Sequence, residues 1–138
     1  MKKIFSFALI VFLFSACSKS DHLPGKWTLT DINYERHFES LPAELKDLFK
    51  VKMGEQFAKL KGKTFFVFNE DKSLELIAPN FDGKPITDKG TYTLNASKDS
   101  LFFNIAITES YHIDTLSPNL LVLSTEETPK RTLTLTKK

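Results

Sequence analysis

Between residues 63 and 136 the chain alternates short apolar-rich runs with clusters of turn-forming residues. Seven runs stand out, at 64–68, 74–78, 91–95, 101–107, 110–116, 120–125 and 131–136. Each has the length of an ordinary strand and is rich in β-branched and aromatic residues. Gly, Asn, Asp, Ser and Pro collect between them, at 69–72, 79–90, 96–99, 117–119 and 126–129. No gap has room for a crossover helix, so neighbouring strands are predicted to pair antiparallel, as a meander.

Directly opposed residues of an antiparallel pair point to the same face. A turn at 69–72 opposes Val67 to Leu74 and Phe65 to Leu76. A loop at 96–99 opposes Leu94 to Leu101 and Tyr92 to Phe103. A turn at 108–110 opposes Ile107 to Tyr111 and Ile105 to Ile113. Leu123 then meets Leu133, and Leu121 meets Leu135. The opposite face carries Glu75, Thr91, Thr93, Asn104, His112, Asp114, Thr132, Thr134 and Thr136. One apolar and one polar face is the pattern of a closed barrel with an apolar interior. In this register Phe66, Phe68 and Phe102 fall outside, where an amphipathic element would cover them.

That element is a helix predicted over residues 42–61. Leu41, Leu45, Leu48, Phe49, Met53, Phe57 and Leu60 recur at three- and four-residue steps, with Glu44, Lys46, Asp47, Lys50, Glu55 and Lys59 opposite. Pro42 suits its first turn and Gly62 its C-terminal end, while Gly54 is a point where it could divide in two. A run of β-branched and polar residues at 28–33 precedes it as a first strand. The helix either flanks or plugs the barrel, or forms a lid over its mouth.

The first residues change the charge and the cysteine count. Lys2 and Lys3 precede an apolar run at 4–14, too short to cross a bilayer as a mature helix. The run ends in Phe14-Ser15-Ala16-Cys17, which resembles the lipobox of bacterial lipoproteins. The resemblance implies a signal peptide at 1–16, diacylglycerol on Cys17, and a lipidated tether at 17–24 ahead of one domain at 25–138. The alternative is an ordinary signal peptide with a stray cysteine. Ser18 after the cysteine resembles the signal for the outer membrane, with inner leaflet and cell surface both open. Without Lys2 and Lys3, 17 Lys and Arg balance 17 Asp and Glu, so charge offers no argument for nucleic acid. Cys17 is the only cysteine, so the core holds by packing, without a disulfide.

Gly25-Lys26-Trp27, entering the first strand, resembles the Gly-x-Trp opening of lipocalins. With seven strands behind it, the resemblance implies an all-β fold: an eight-stranded antiparallel up-and-down barrel with one helix inserted between strands 1 and 2. In that family the Trp packs across the closed end under an Arg near the end of the last strand. Here the arginines are Arg36 and Arg131, and Arg131 begins the last strand; closure of the first strand on the last puts Lys137 near Trp27 instead. The chain is thus most similar to the small lipocalin-like domains of bacterial lipoproteins. On composition alone, Trp27 is equally a large core anchor.

Catalytic chemistry is sparse. His22, His37 and His112 fall in the tether, a loop and an outward strand position, with no metal-ligand spacing. There is no nucleophile elbow, phosphate-cradling glycine loop or Cys–His pair. No enzyme, metal or cofactor is expected. Two readings remain. In one the barrel holds a small hydrophobic ligand among Phe65, Leu76, Tyr92, Phe103, Ile105, Tyr111 and Leu123, with the two tyrosine hydroxyls pointing into the pocket. In the other it is a non-catalytic structural or interaction module of the cell envelope whose barrel is filled by its own side chains. Interior volume separates them.

Overall fold

The computed structural model describes residues 19–34, 41–126 and 130–138. The signal peptide, Cys17 and His37 lie outside them. The strands are β1 (Gly25–Tyr34), β2 (Phe65–Phe68), β3 (Ser73–Pro79), β4 (Pro85–Leu94), β5 (Ser100–Ile105), β6 (Ile107–Leu116), β7 (Leu120–Ser124) and β8 (Arg131–Thr136). They run in sequence order around a closed antiparallel barrel, and the one α-helix among the described residues, α1 (Ala43–Leu60), lies between β1 and β2. β1 closes the barrel by dividing its edges. Gly25–Thr28 pair with β2, and Thr28–Tyr34 pair with β8 across an irregularity between Leu29 and Asp31.

One end of the barrel is solid. Trp27, Phe68, Leu74, Tyr92, Leu101, Leu121, Leu123 and Leu135 are all at most 1% exposed, and burying each side chain of this size contributes about 1.5–3 kcal/mol. Phe68 meets Tyr92 edge to face, centroids 5.0 Å apart. Leu23 closes the end from the N-terminal side, accepting 2.7 Å from Trp27 Nε1 through its carbonyl. Lys137 arrives there as expected: its Nζ lies 4.7 Å over the Trp27 ring and donates to the His22 and Pro24 carbonyls at 2.8 and 2.7 Å.

The expected pairings of β4 with β5, β7 with β8 and β1 with β8 are present, including Tyr92 with Phe103 and Leu123 with Leu133. The β2–β3 register differs by one residue. Asn69 pairs with Ser73 around Glu70-Asp71-Lys72, with Lys72 left-handed at φ 71°. Phe68 therefore opposes Leu74, and Phe66 opposes Leu76. Phe66 and Phe68 turn into the core, and Phe65 and Val67 turn out. A one-residue slip swaps every side chain of a strand.

The β5–β6 hairpin turns at Ala106 (φ 54°), earlier than expected, so Ile105 faces Ile107 and Phe103 faces Glu109. The end of β5 passes close over β4 at Gly90. A Cβ there would meet the Asn104 carbonyl oxygen at 2.1 Å, so the crossing requires glycine. Before this point, residues 85–90 pair only with β3. That extension of β4 was expected to be loop.

α1 does not cover an outer face of the sheet. None of its residues is buried, and Phe102 stays 38% exposed on the outside. Gly54 does not interrupt the helix. Its C-terminal turn leans on the open end: Phe57 stacks on Tyr34, centroids 5.3 Å apart, and Leu60 packs against the core.

Candidate functional site

Above the solid end the barrel is hollow. A cavity of about 380 Å³ is walled by Leu29, Phe66, Leu76, Phe103, Ile105 and Leu133. Phe57 and Leu60 of α1 border it on one side, and Ala78, Asp88 and Ile107 of the β3–β4 and β5–β6 hairpins on the other. The strands project these side chains inward by simple alternation: Leu101, Phe103 and Ile105 from β5, Leu133 and Leu135 from β8.

Alternation also brings charge to the mouth. Extended two residues from Leu133 it reaches Arg131, and from Tyr111 it reaches Glu109. Arg131 sits beside Tyr34 in the β1–β8 ladder, with its guanidinium carbon 5.4 Å from the Tyr111 ring centre. Arg131 Nη2 donates to the Tyr111 hydroxyl. That hydroxyl donates in turn to Glu109 Oε2 at 2.8 Å, and Arg131 Nη2 lies 3.5 Å from Glu109 Oε1. Burial pushes the Tyr111 hydroxyl far above its ordinary pKa, so it holds its proton at neutral pH. Among the described residues, two buried side-chain polar atoms have no hydrogen-bond partner: Arg131 Nε and Thr64 Oγ1. Both belong to residues that line the cavity.

Of the seven interior candidates, Leu76, Phe103, Ile105 and Tyr111 line the cavity. Tyr92 and Leu123 lie in the packed core. The Tyr92 hydroxyl does not enter the pocket; it donates 2.7 Å to the Asn69 carbonyl at the solid end. Burial, then the nearby Asp71 and Glu70 carboxylates, raise its pKa. Phe65 is outside, under Lys26, whose Nζ is 4.3 Å from the ring centre. Ile107, expected opposite Tyr111 inside the sheet, is at the hairpin tip and 68% exposed. Arg131, Glu109, Tyr34, Thr64 and Asp88 were not anticipated at the site, although continued alternation places Arg131 and Glu109 on the inner face.

No group of three metal-ligating side chains occurs among the described residues, and none of their helices is long and apolar enough to cross a membrane. What the arrangement offers is an apolar hollow with a hydrogen-bonded cation at its rim. This suits orienting an amphiphile.

Comparison with known proteins agrees with the barrel. No curated protein matches the chain. Among solved structures, a lipocalin-like protein from Bacteroides uniformis superposes with a TM-score of 0.54 at 16% identity, covering 82% of this chain and 96% of that one. An uncharacterised protein from Bacteroides eggerthii gives 0.53 at 12% identity, covering 83% and 98%. At such identities the likeness speaks for the fold alone. The profile of the lipocalin-like domain matches residues 23–123, from the leucine that closes the solid end to β7, and the chain is a member of that lipocalin-like domain family.

Proposed function

We propose that this is a lipid-anchored envelope protein whose barrel binds a small hydrophobic molecule without transforming it. The observation that carries this reading is the hollow half of the barrel. A cavity of about 380 Å³ falls within the roughly 300–1,000 Å³ typical of small-molecule sites. Its walls are mainly aliphatic and aromatic, with polar groups gathered at the rim. The lipocalin-like fold is typically a binding fold, and the comparisons indicate no catalytic family. The anchor is the diacylglycerol expected on Cys17, and the outer membrane is the expected address.

Titration with a fluorescent fatty-acid analogue tests the reading, alongside native mass spectrometry of the purified protein. One saturable site is expected, and Ala78→Phe, which intrudes on the cavity from β3, should weaken it. Non-saturable uptake together with no co-purified ligand would leave the barrel as an interaction module instead.

A further inference from the structure

Resting on the ligand-binding reading above, we propose that the molecule held in the cavity is a single-chain amphiphile ending in a carboxylate, and that Arg131 receives that carboxylate at the mouth.

One side chain at the mouth has unmet hydrogen-bonding capacity. Arginine carries five N–H donors in a planar fork and stays charged at any ordinary pH. Arg131 uses Nη2 toward Tyr111 and, loosely, toward Glu109 at 3.5 Å, and Tyr34 hydrogen-bonds the same side chain. Its Nε is buried and donates to nothing. A buried donor left unpaired is costly, and pairing it recovers that cost. The group that fits the Nε edge of a guanidinium is a pair of coplanar oxygens, since a carboxylate can take Nε–H and the neighbouring Nη–H together.

Among the described residues, the other charges do not satisfy Arg131. Glu109 is partly exposed and already accepts from Tyr111 through Oε2. Tyr111, kept protonated by burial, supplies no counter-charge. Asp88 borders the cavity on β4 and forms no ion pair among the described residues. In the arrangement observed the Nε edge is shielded, so receiving a ligand requires the guanidinium to shift on the Tyr111 ring. In that shift the long Glu109 contact gives way first, and the ligand's carboxylate takes over as the counter-charge. An ammonium head group would leave Nε unpaired and add like charge beside it. An alcohol would offer one weaker acceptor. The unpaired Thr64 Oγ1 does not discriminate, because a hydroxyl can donate or accept.

Size restricts the rest of the molecule. A cavity of about 380 Å³ lies near the lower end of the small-molecule range of roughly 300–1,000 Å³. It takes one alkyl chain rather than the two of a diacyl lipid.

The test is displacement of the neutral probe N-phenyl-1-naphthylamine by dodecanoate, dodecanol and dodecylamine, and by a diacyl phospholipid presented in vesicles. Dodecanoate should displace it at least about tenfold more tightly than the alcohol or the amine, the difference expected of a charge-assisted pair. Arg131→Gln should bring dodecanoate down to the level of dodecanol and leave dodecanol unchanged, which also reports that the variant is folded. Glu109→Gln should keep the preference for the acid. Equal affinity for the three heads, or preference for the amine, overturns the carboxylate assignment and leaves the cavity reading in place. Displacement by the diacyl lipid alone overturns the single-chain assignment. Failure of the probe and every chain to bind removes both readings together. If Arg131→Gln does not fold, the head-group series on the unaltered protein decides.

Discussion

Lys137 occupies the position over the barrel's tryptophan that an arginine fills in lipocalins, and it does so with a different geometry. An ammonium is a compact charge with three rotatable donors, whereas a guanidinium is a planar fork. Here two donors go to the His22 and Pro24 carbonyls, and the charge rests on the Trp27 ring. Burial lowers the lysine's pKa, the sign expected of a cation drawn partly out of water. These contacts tie the N-terminal entry to the last residues of the chain. Lys137→Met keeps the aliphatic stem but removes both donors, and should destabilise the protein by about 1–3 kcal/mol. Urea denaturation at neutral pH checks it; an unchanged midpoint would show that the tie is incidental. At this scale the sequence was informative. The position of Trp27 after Gly25, together with strand closure, placed Lys137 beside the ring. Arg131 was harder to see: it is marked in the sequence only as the residue that begins the last strand, although its parity with Leu133 and Leu135 directs it inward.

Among the elements, α1 shows most clearly what periodicity leaves open. Its apolar stripe located the helix to within a residue or two at each end. The stripe did not reveal how little of itself is buried: Leu48 is 49% exposed and Phe49 46%. The helix is attached through Phe57 on Tyr34, Leu60 against the core, and Lys61 paired with Asp31 at 2.8 Å. Leu48→Ala and Phe49→Ala should therefore change stability by less than about 0.5 kcal/mol, whereas Leu60→Ala should cost about 1–3 kcal/mol, near the low end for core truncations. Thermal melts of the three variants separate these outcomes, and a large loss from Phe49→Ala would mean the helix packs more closely in solution. β2 illustrates another limit. Phe65, Phe66, Val67 and Phe68 are apolar on both parities, so only the turn sets the phase, and the left-handed Lys72 is not marked by a glycine. The β5–β6 register also moved, but by an even number of positions, so Leu101, Phe103, Ile105 and Tyr111 kept their expected inward side. Residues 85–90 carry no apolar alternation at all; their pairing with β3 is a backbone matter, invisible in side-chain pattern.

The whole molecule is a barrel of two unlike halves. Aromatic and leucine side chains fill the half around Trp27, as an eight-stranded barrel is narrow enough to allow. Toward the mouth Ala78 and Asp88 stand where the other half has bulky inward residues, and the interior opens. The chain enters at the solid end, through Leu23 and Pro24 beside Lys137, while α1 and the hairpin tips carrying Phe81 and Ile107 stand at the other. This polarity has a directional consequence. With the anchor proposed on Cys17, the protein stands on its blind end, and the mouth is held away from the bilayer that carries it by up to the length of a ten-residue strand, about 30 Å. A fluorophore at residue 81 should then escape quenchers buried in that bilayer, and one at residue 119 should sit nearer to them; Cys17→Ser should release both from the vesicles. Stronger quenching at residue 81 would invert the orientation. Standing this way, a barrel that binds as proposed could not skim molecules from the leaflet beneath it. It would load and unload across water, or hand its cargo to whatever faces it, a station between surfaces rather than a pocket in one of them.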